Sequence, residues 1–266
     1  MLKHTVLVQM LSYLTAKETP LWFVDTHAGG GAYLLDSAFA QKKGEFRNGI
    51  ARLWEQRDLP AALTEYVDQV KAVNKDGALR HYPGSPQIAV QMLREQDRLQ
   101  LFELHSTESE LLQKKYASMK RKVSVQPADG FAGLKAVLPP PSRRGLVLID
   151  PSYEDKADYG RVLETVRDAL QRFATGVYAV WYPQVQRPES KDLPRQLQQL
   201  AGKSWLHATL KTMAPSRDGL GLHGSGVFVF NPPWKLQDSL RDAMPALVRL
   251  LGQDRKASYS LEGKQT

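Results

Sequence analysis

The sequence has 266 residues, of which 42% are hydrophobic, so the chain is long enough for one α/β domain with a full core. Lys and Arg number 36 against 28 Asp and Glu, and the formal net charge of +8 favours a polyanionic partner. The absence of cysteine excludes disulfides, thiolate metal sites and a cysteine nucleophile, and we expect a cytoplasmic protein without a membrane span.

The first predicted elements are a helix over residues 1–19 and a strand over Leu21–Asp25. An acid ends this strand, and a glycine-rich stretch, Ala28–Gly31, follows it. A strand, an acid and a glycine-rich turn into a helix are how doubly wound folds bind nucleotide-type cofactors. Neither G-x-G-x-x-G nor the P-loop pattern is present, so the sequence does not support phosphate binding.

A long helical stretch over residues 36–95 separates the glycine-rich loop from the next strand. It is too long for a simple crossover connection. We therefore predict one domain over residues 1–266 with an inserted helical subdomain at 36–95. A pair of helices that covers the sheet fits the periodicity equally well.

The next three strands are each followed by an acid. Glu103 ends the strand over 98–105, Asp129 follows the strand over 122–126, and Asp150 follows the apolar run 145–149. An acid in the position of Glu103 can bind both hydroxyls of a ribose, and Asp129 can accept a hydrogen bond from an adenine amine. A solvated charge and a plain Asp-Gly turn are the alternatives. Because each acid ends a strand, we expect all of them at one edge of one sheet.

The stretch Asp150-Pro151-Ser152-Tyr153 is the most informative of the chain. Proline removes a backbone donor and stops strand pairing, so the chain leaves the sheet at its carboxyl edge. A carboxylate and a backbone carbonyl there can accept hydrogen bonds from an amino group on a flat ring, and a tyrosine can stack on that ring. An ordinary strand-to-loop exit with a surface acid is the alternative.

The remaining pattern alternates helices (159–173 and 191–201) with strands (176–182, 205–212 and 226–231), and a polar tail from Gln253 is predicted to be mobile. A second tetrapeptide, Asn231-Pro232-Pro233-Trp234, has no carboxylate, and we interpret it as structural. Arg143 and Arg144 are candidates for RNA contact, unless they lie at the far end of their strand. The six histidines lack metal-ligand spacing, and we expect no metal.

The Asp150 tetrapeptide resembles the (D/N/S)-P-P-(Y/F/W) motif of amino-group methyltransferases that use S-adenosylmethionine. Longer strings resemble the bacterial RlmJ family, which methylates N6 of an adenine in large-subunit ribosomal RNA. The resemblance extends to about Leu236, and the strings are Leu2-Lys3-His4-Thr5, Asp25-Thr26-His27-Ala28-Gly29, Tyr82-Pro83-Gly84-Ser85-Pro86, Leu93-Arg94-Glu95-Gln96-Asp97, Ser142-Arg143-Arg144-Gly145 and Asn231-Pro232-Pro233-Trp234-Lys235.

The resemblance implies a Rossmann-like class I methyltransferase fold, S-adenosylmethionine as cofactor and protein-free ribosomal RNA as the partner of a monomer. It assigns cofactor binding to His4, His27, Ser85, Glu103, Asp129 and Gly130. It makes Asp150 the catalytic acid, which we expect to act with the Pro151 carbonyl and the Tyr153 ring. Tyr153 and Lys3 are the candidate substrate-binding residues.

The chain departs from the family pattern in two places. The family has a stretch rich in His, Tyr and Asn before Leu2-Lys3-His4-Thr5 that helps to position the base, whereas this chain begins at Met1. We expect either that the natural start lies upstream or that this form lacks the element. Ser152 stands where the broader class usually has proline, but the flanking acid, carbonyl and ring are retained.

The sequence therefore predicts methylation of N6 of an adenine in 23S ribosomal RNA. One alternative is a DNA adenine-N6 methyltransferase, which shares the chemistry. Another is a non-catalytic RNA-binding protein with a methyltransferase fold. A dehydrogenase that uses a nicotinamide cofactor is the weakest, because it has no role for the Asp150 tetrapeptide.

Overall fold

A mixed eight-stranded sheet forms the centre of the computed structural model, which describes residues 1–37, 42, 44–219 and 221–264. In chain order the described strands are β1 (Trp22–Asp25), β2 (Ala32–Leu34), β3 (His81–Pro83), β4 (Arg98–Phe102), β5 (Val123–Gln126), β6 (Gly145–Ile149), β7 (Val177–Gln184), β8 (Trp205–Lys211), β9 (Gly224–Phe230) and β10 (Ser258–Lys264). The central sheet has the order β10-β8-β9-β7-β6-β1-β4-β5, and β2 pairs with β3 apart from it.

The five strands from β5 to β7 run parallel, and β9 lies antiparallel between β7 and β8. β6 is buried at every position, as expected for a strand that helices cover on both faces. The strand order reverses at β1, with β4 on one side and β6 on the other. Such a reversal opens a crevice at the carboxyl ends of the strands. The arrangement confirms the predicted Rossmann-like fold of the class I type.

Helices cover both faces of this sheet. The described α-helices are α1 (Leu2–Thr15), α2 (Ala51–Trp54), α3 (Ala61–Lys71), α4 (Ser85–Met92), α5 (Ser106–Lys115), α6 (Gly130–Val137), α7 (Ala157–Arg172), α8 (Pro188–Leu200) and α9 (Leu236–Leu251). The helices α1 to α5 and α9 share one hydrophobic cluster, and α6 to α8 share the other. The sheet lies between these two cores.

The glycine-rich loop leads into β2, so the prediction of a helix directly after it was wrong. β2 pairs with β3, about fifty residues later in the chain, and this pairing brings Gly84 against Gly31. The Gly84 amide donates to the Gly31 carbonyl at 3.0 Å, and a Cβ on Gly84 would lie 3.1 Å from that oxygen. As a result α4 begins at Ser85 beside the glycine loop, in the place of the expected helix.

The segment 36–95 has no core of its own among its described residues. Leu63 and Tyr66 of α3 and Ile88 of α4 are fully buried in the cluster that α1 and β1 also use. The segment therefore thickens one face of the sheet. Its limits at residues 36 and 95 stay a prediction. We propose that β2, just before the segment, and β3, near its end, join it to the rest of the domain.

The tail after Gln253 is ordered through Lys264, so the prediction that it is mobile was wrong. β10 pairs antiparallel with β8 along all seven residues of each strand, from Ser258 opposite Lys211 to Lys264 opposite Trp205. Residues 265 and 266 lie outside the described residues. The polar composition of this strand reflects its position at the edge of the sheet, where one side faces solvent.

Candidate active site

A cavity of about 340 Å³ opens at the carboxyl edge of the sheet, where β1, β6 and β7 end. Its lining is polar and aromatic and includes Lys3, His4, His27, Tyr33, Tyr82, Ser85, Asp150, Trp181, Leu222 and Ser225. A larger apolar cavity of about 570 Å³ shares Tyr33 and Tyr82 with it but is lined by neither Lys3 nor Asp150. We place the chemistry in the smaller cavity because it contains the predicted catalytic acid.

Asp150 forms an ion pair with Lys3 in this cavity, and their side chains are only 11% and 24% exposed. Burial raises the pKa of Asp150, although the Lys3 ammonium opposes the shift. Burial lowers the pKa of Lys3, but the Asp150 carboxylate outweighs this effect and the net pKa is raised. Ion pairing therefore favours the charged form of each partner, while burial favours the neutral form of each. The Lys3 ammonium also lies 5.8 Å from the centroid of the Trp181 ring.

A second carboxylate, Asp25, is fully buried at the end of β1. Its Oδ1 accepts a hydrogen bond from the His27 amide at 3.2 Å, and the Ser85 side chain lies close enough to oppose the rise in the pKa of Asp25. Burial raises the pKa of Asp25 to about 6. The strand-and-acid pattern indicates Asp25 in the sequence, but the site prediction did not include it.

Three predicted cofactor residues line the cavity together with Asp150, whereas the fully buried Asp25 does not line it. His4 Nδ1 lies 2.9 Å from the Tyr82 hydroxyl, while its buried Nε2 has no hydrogen-bond partner. Burial lowers the pKa of His4 well below its usual value and that of His27 to about 4, so both rings are neutral. Ser85 is buried at the first turn of α4. The cavity thus offers polar groups without adding charge.

Glu103 and Asp129 lie farther along the same edge, after β4 and β5, and do not line the cavity. The two Glu103 carboxylate oxygens accept hydrogen bonds from the amides of Gly29 at 2.7 Å and His105 at 2.8 Å. Each oxygen has a second lone pair, so Glu103 can still accept from two hydroxyls. It also fixes the glycine loop beside the cavity.

Asp129 has two partners in the structure. Its Oδ1 caps α6 by accepting from the Phe131 amide at 2.9 Å, and its other oxygen is paired with Arg161. The Arg161 guanidinium lies 4.3 Å from the centroid of the Phe131 ring. A Cβ on Gly130 would lie 1.9 Å from the Thr26 carbonyl oxygen, so only glycine allows α6 to begin this close to the end of β1. Arg161 was not part of the predicted site.

The turn after Asp150 holds its aromatic residue away from the cavity. Tyr153 has a left-handed backbone with φ of 56°, and its ring is 3% exposed. Its hydroxyl donates to the Trp181 carbonyl at 2.7 Å, and its own carbonyl accepts from Arg187 at 3.1 Å. Pro151 is buried and Ser152 is exposed. Tyr153 therefore does not line the cavity, and its stacking on a base stays a prediction.

Trp181 is the aromatic ring near Asp150 that the sequence analysis missed. It lies within the apolar strand β7, where the pattern indicates only a core residue. Two other predicted features lie at the opposite edge of the sheet. Arg144 precedes β6, and its guanidinium donates to the carbonyls of Leu14 and Thr19. Arg143 lies beside it, so RNA contact by these arginines at the cavity is excluded.

Four carboxylates thus follow one another along the carboxyl edge: Asp129 after β5, Glu103 after β4, Asp25 at the end of β1 and Asp150 after β6. An extended ligand with an aromatic amine, two neighbouring hydroxyls and an ammonium fits the first three in that order. S-Adenosylmethionine carries these donors in the same order. The unpartnered nitrogen of His4, which lines the cavity, is suited to its amino-acid end.

In the described part of the chain, no group of three His, Asp or Glu side chains is placed to hold a metal ion. None of the described helices is both long and apolar enough to cross a bilayer.

Residues 18–263 match the family described as "Ribosomal RNA large subunit methyltransferase D, RlmJ". The chain is 47% identical over 246 residues to "Ribosomal RNA large subunit methyltransferase J" of Escherichia coli (strain K12), a match that covers 92% of this chain and 87% of that protein. It is 42% identical over 262 residues to the protein of the same name from Haemophilus influenzae, with 98% and 92% covered. A crystal structure of protein LPL1258 from Legionella pneumophila superposes with a TM-score of 0.90 at 35% identity and covers 99% of this chain and 96% of that one.

Proposed function

The chain belongs to the RlmJ family of ribosomal RNA large subunit methyltransferases, and we propose that it methylates N6 of an adenine in 23S ribosomal RNA with S-adenosylmethionine as donor. The matches confirm the predicted family and the predicted methyltransferase activity on ribosomal RNA. They give no support to the DNA-modifying, non-catalytic or dehydrogenase alternatives.

The observation that carries the choice of an amino group as acceptor is the position of Asp150. It lies in a cavity beside an aromatic ring, it is paired with Lys3, and it follows the central strand β6 directly. A carboxylate can accept a hydrogen bond from an amine and so hold that amine in place for methyl transfer.

We propose that the methyl donor binds along three of the four carboxylates. Asp129 would accept from its adenine amine, Glu103 from its ribose hydroxyls, and Asp25 from its ammonium. His4, His27 and Ser85 would contact its amino-acid end, and Gly130 would let α6 approach. S-Adenosylmethionine supplies a methyl group on a positively charged sulfur, which is an electrophile for a neutral amine.

The protein must make the adenine amine more nucleophilic, because its lone pair is delocalised into the ring. Asp150 and the Pro151 carbonyl accept hydrogen bonds from the two amine protons and favour a pyramidal nitrogen. The lone pair is then directed at the methyl group, and positioning supplies much of the rate. Lys3 holds the Asp150 carboxylate in place and opposes the rise in its pKa that burial causes. Asp150 or water takes the proton that leaves the product.

The adenine must leave its stack to enter the cavity. We propose that it lies against the Trp181 ring, which lines the cavity beside Lys3. Tyr153 supports Trp181 from behind through the hydrogen bond to its carbonyl. A direct contact between Tyr153 and the base would require the buried Tyr153 ring to move. Protein-free RNA as substrate, a monomeric enzyme and a cytoplasmic location are part of the same proposal.

The test is transfer of a labelled methyl group from S-adenosylmethionine to a protein-free large-subunit RNA transcript, followed by mass spectrometry of the nucleosides. We expect one labelled N6-methyladenosine per transcript, no transfer to duplex DNA, and transfer by the Asp150→Asn variant that is slower by about 10² to 10⁴. Label in another nucleoside, or equal transfer to DNA, would contradict the proposal.

A further inference from the structure

One side of the active-site cavity is formed by a loop that the proposed mechanism does not use. The rim loop, residues 212–223, connects β8 to β9 at the carboxyl edge and is described except for residue 220. Its last residues reach the cavity: Leu222 lines it together with Asp150 and Trp181. Leu222 is 52% exposed. It therefore presents an apolar side chain to solvent at the mouth of a polar site.

Hydrogen bonds anchor the rim loop at several points. The Thr212 amide donates to the His223 carbonyl at 2.9 Å, and the His223 amide donates to the Gln184 carbonyl at 3.1 Å. The Ala214 amide donates to Asp254 at 2.7 Å. Such bracing holds Leu222 at the mouth of the cavity. A single exposed leucine on a protein surface needs no explanation, but one held beside a catalytic carboxylate does.

Exposed cations lie beside and within this loop. Lys211 precedes the loop and Arg217 lies within it, followed by Asp218 with one negative charge, and all three are exposed. Burial lowers the pKa of His223, and the nearby charges of Lys211 and Lys191 lower it further. Those two lysines therefore lie close to the same end of the loop. Exposed cations around the exposed Leu222 side chain fit a nucleic acid, because the cations can bind its phosphates while the apolar side chain contacts its bases.

We infer that the rim loop helps to unstack the target adenine from the RNA. Leu222 fills the space that the adenine leaves when it enters the cavity. The inference rests on the proposed function. Proteins that unstack bases insert apolar side chains such as leucine into the vacated step, because the flanking bases then keep an apolar contact. Lys191, Lys211 and Arg217 bind the phosphates on either side. The RNA strand thus crosses the cavity from the side of β8 and β9.

Steady-state kinetics on a folded large-subunit RNA transcript test the inference. Leu222→Ala should lower kcat/KM for RNA about tenfold, the size of one lost base contact, and Leu222→Asp should lower it further. Leu222→Met should stay within about twofold of the wild type because it keeps an apolar side chain of similar volume. Affinity for S-adenosylmethionine, measured by calorimetry, should be unchanged in all three variants. Trp234→Ala is the control, since Trp234 is also exposed but lies at the opposite edge of the sheet.

A photocrosslinker at position 222 tests the position independently of the rate. We expect the crosslink at the target adenine or at a nucleotide next to it. A crosslink to distant RNA or to a second copy of the chain would overturn the inference, as would wild-type turnover by Leu222→Asp. If the variants also lost affinity for S-adenosylmethionine, Leu222 would have a structural role in the site, and the inference would be overturned. These failures differ from failure of the proposed function, in which the wild-type protein itself leaves the RNA adenines unmethylated.

Discussion

Two tetrapeptides of similar sequence follow strands of the same sheet, yet they lie at its opposite edges. Asp150-Pro151-Ser152-Tyr153 follows β6, which runs parallel to the neighbouring β1 and β7 and ends at the carboxyl edge. Asn231-Pro232-Pro233-Trp234 follows β9, which runs antiparallel to β7 and ends near the start of that strand. The second matches the general motif of amino-group methyltransferases at every position, but the direction of its strand takes it away from the cavity.

The surroundings of the two first residues differ accordingly. Asp150 lines a cavity and has a charged partner, Lys3. The Asn231 side-chain amide donates to two carbonyls, of Ala174 at 2.8 Å and Gly176 at 2.7 Å. Asn231 also has a left-handed backbone with φ of 49°, a conformation that asparagine tolerates better than most residues. One tetrapeptide is therefore arranged for a ligand, and the other closes a turn.

The strongest test of this comparison exchanges the two functional groups. Asp150→Asn should lower the rate of methyl transfer by about 10² to 10⁴, the usual range for a group that polarises or deprotonates the acceptor. Affinity for S-adenosylmethionine should stay within a few-fold, because the other three carboxylates are unchanged. Asn231→Asp should leave the rate near that of the wild type. Single-turnover kinetics give both values, and a rate above a tenth of the wild type in Asp150→Asn would remove Asp150 from the mechanism.

The second test uses the dependence of stability on pH, which we expect from the buried Asp25 at the carboxyl edge. Burial raises the pKa of Asp25 in the folded state to about 6, so between pH 4 and 6 Asp25 binds more protons in the folded protein than in the unfolded chain. The contribution of Asp25 to the free energy of unfolding therefore falls as pH rises through this window, by about 3 kcal/mol for the rise in its pKa to about 6. Asp25→Asn should remove that dependence and gain stability relative to the wild type at pH 7. Urea denaturation at pH 4.5 and 7 measures it, and a constant difference between the two proteins would contradict the shift.

Glu103 should matter for the cofactor and not for the chemical step. Glu103→Ala should weaken S-adenosylmethionine binding by roughly ten- to a hundredfold, since a charge-assisted hydrogen-bond pair contributes about 1.5–3 kcal/mol. The rate at saturating donor should change less. Glu110→Ala is a matched control, because Glu110 lies on the exposed side of α5. Unchanged affinity by calorimetry would make Glu103 only the residue that holds the glycine loop.

The smallest effect is expected at the opposite edge. Asn231→Ala should lower the free energy of unfolding by about 1–2 kcal/mol, because two carbonyls lose their donor and alanine is less favourable at a positive φ. Methyl transfer at a permissive temperature should be unaffected. Asn231→Gly separates the loss of the hydrogen bonds from the backbone strain. Glycine cannot make the two hydrogen bonds, but it adopts a positive φ without strain. Loss of activity in a folded Asn231→Ala protein would contradict a purely structural role.

The sequence was sufficient for the features that depend on local pattern. The buried strand β6 and the acids that follow β4, β5 and β6 were predicted because apolar runs and chain-breaking residues mark them directly. That Asp150 and Glu103 lie at the same edge follows from parallel pairing. Their assigned roles stay predictions, as do those of the other site residues.

The features that were missed depend on contacts between distant residues. β2 forms only because β3 pairs with it, and β10 forms only because β8 presents an open edge, and no local pattern contains these partners. The burial of Tyr153 depends on the Trp181 carbonyl, and the raised pKa of Asp25 depends on its fully buried position. Pairing and burial of this kind become visible only in the folded chain.

The strand β10 has a consequence for how this protein behaves in solution. β8 alternates buried apolar residues, and without β10 the amides and carbonyls of the alternate β8 residues that point away from β9 would be unpaired. Exposed edges of this kind template the pairing of one molecule with the next. β10 replaces that surface with an edge that carries Glu262 and Lys264 and is exposed at both. The polar tail thus reduces the tendency of the protein to aggregate. A tag fused after Lys264 should therefore keep the protein more soluble than a truncation that removes Ser258–Lys264.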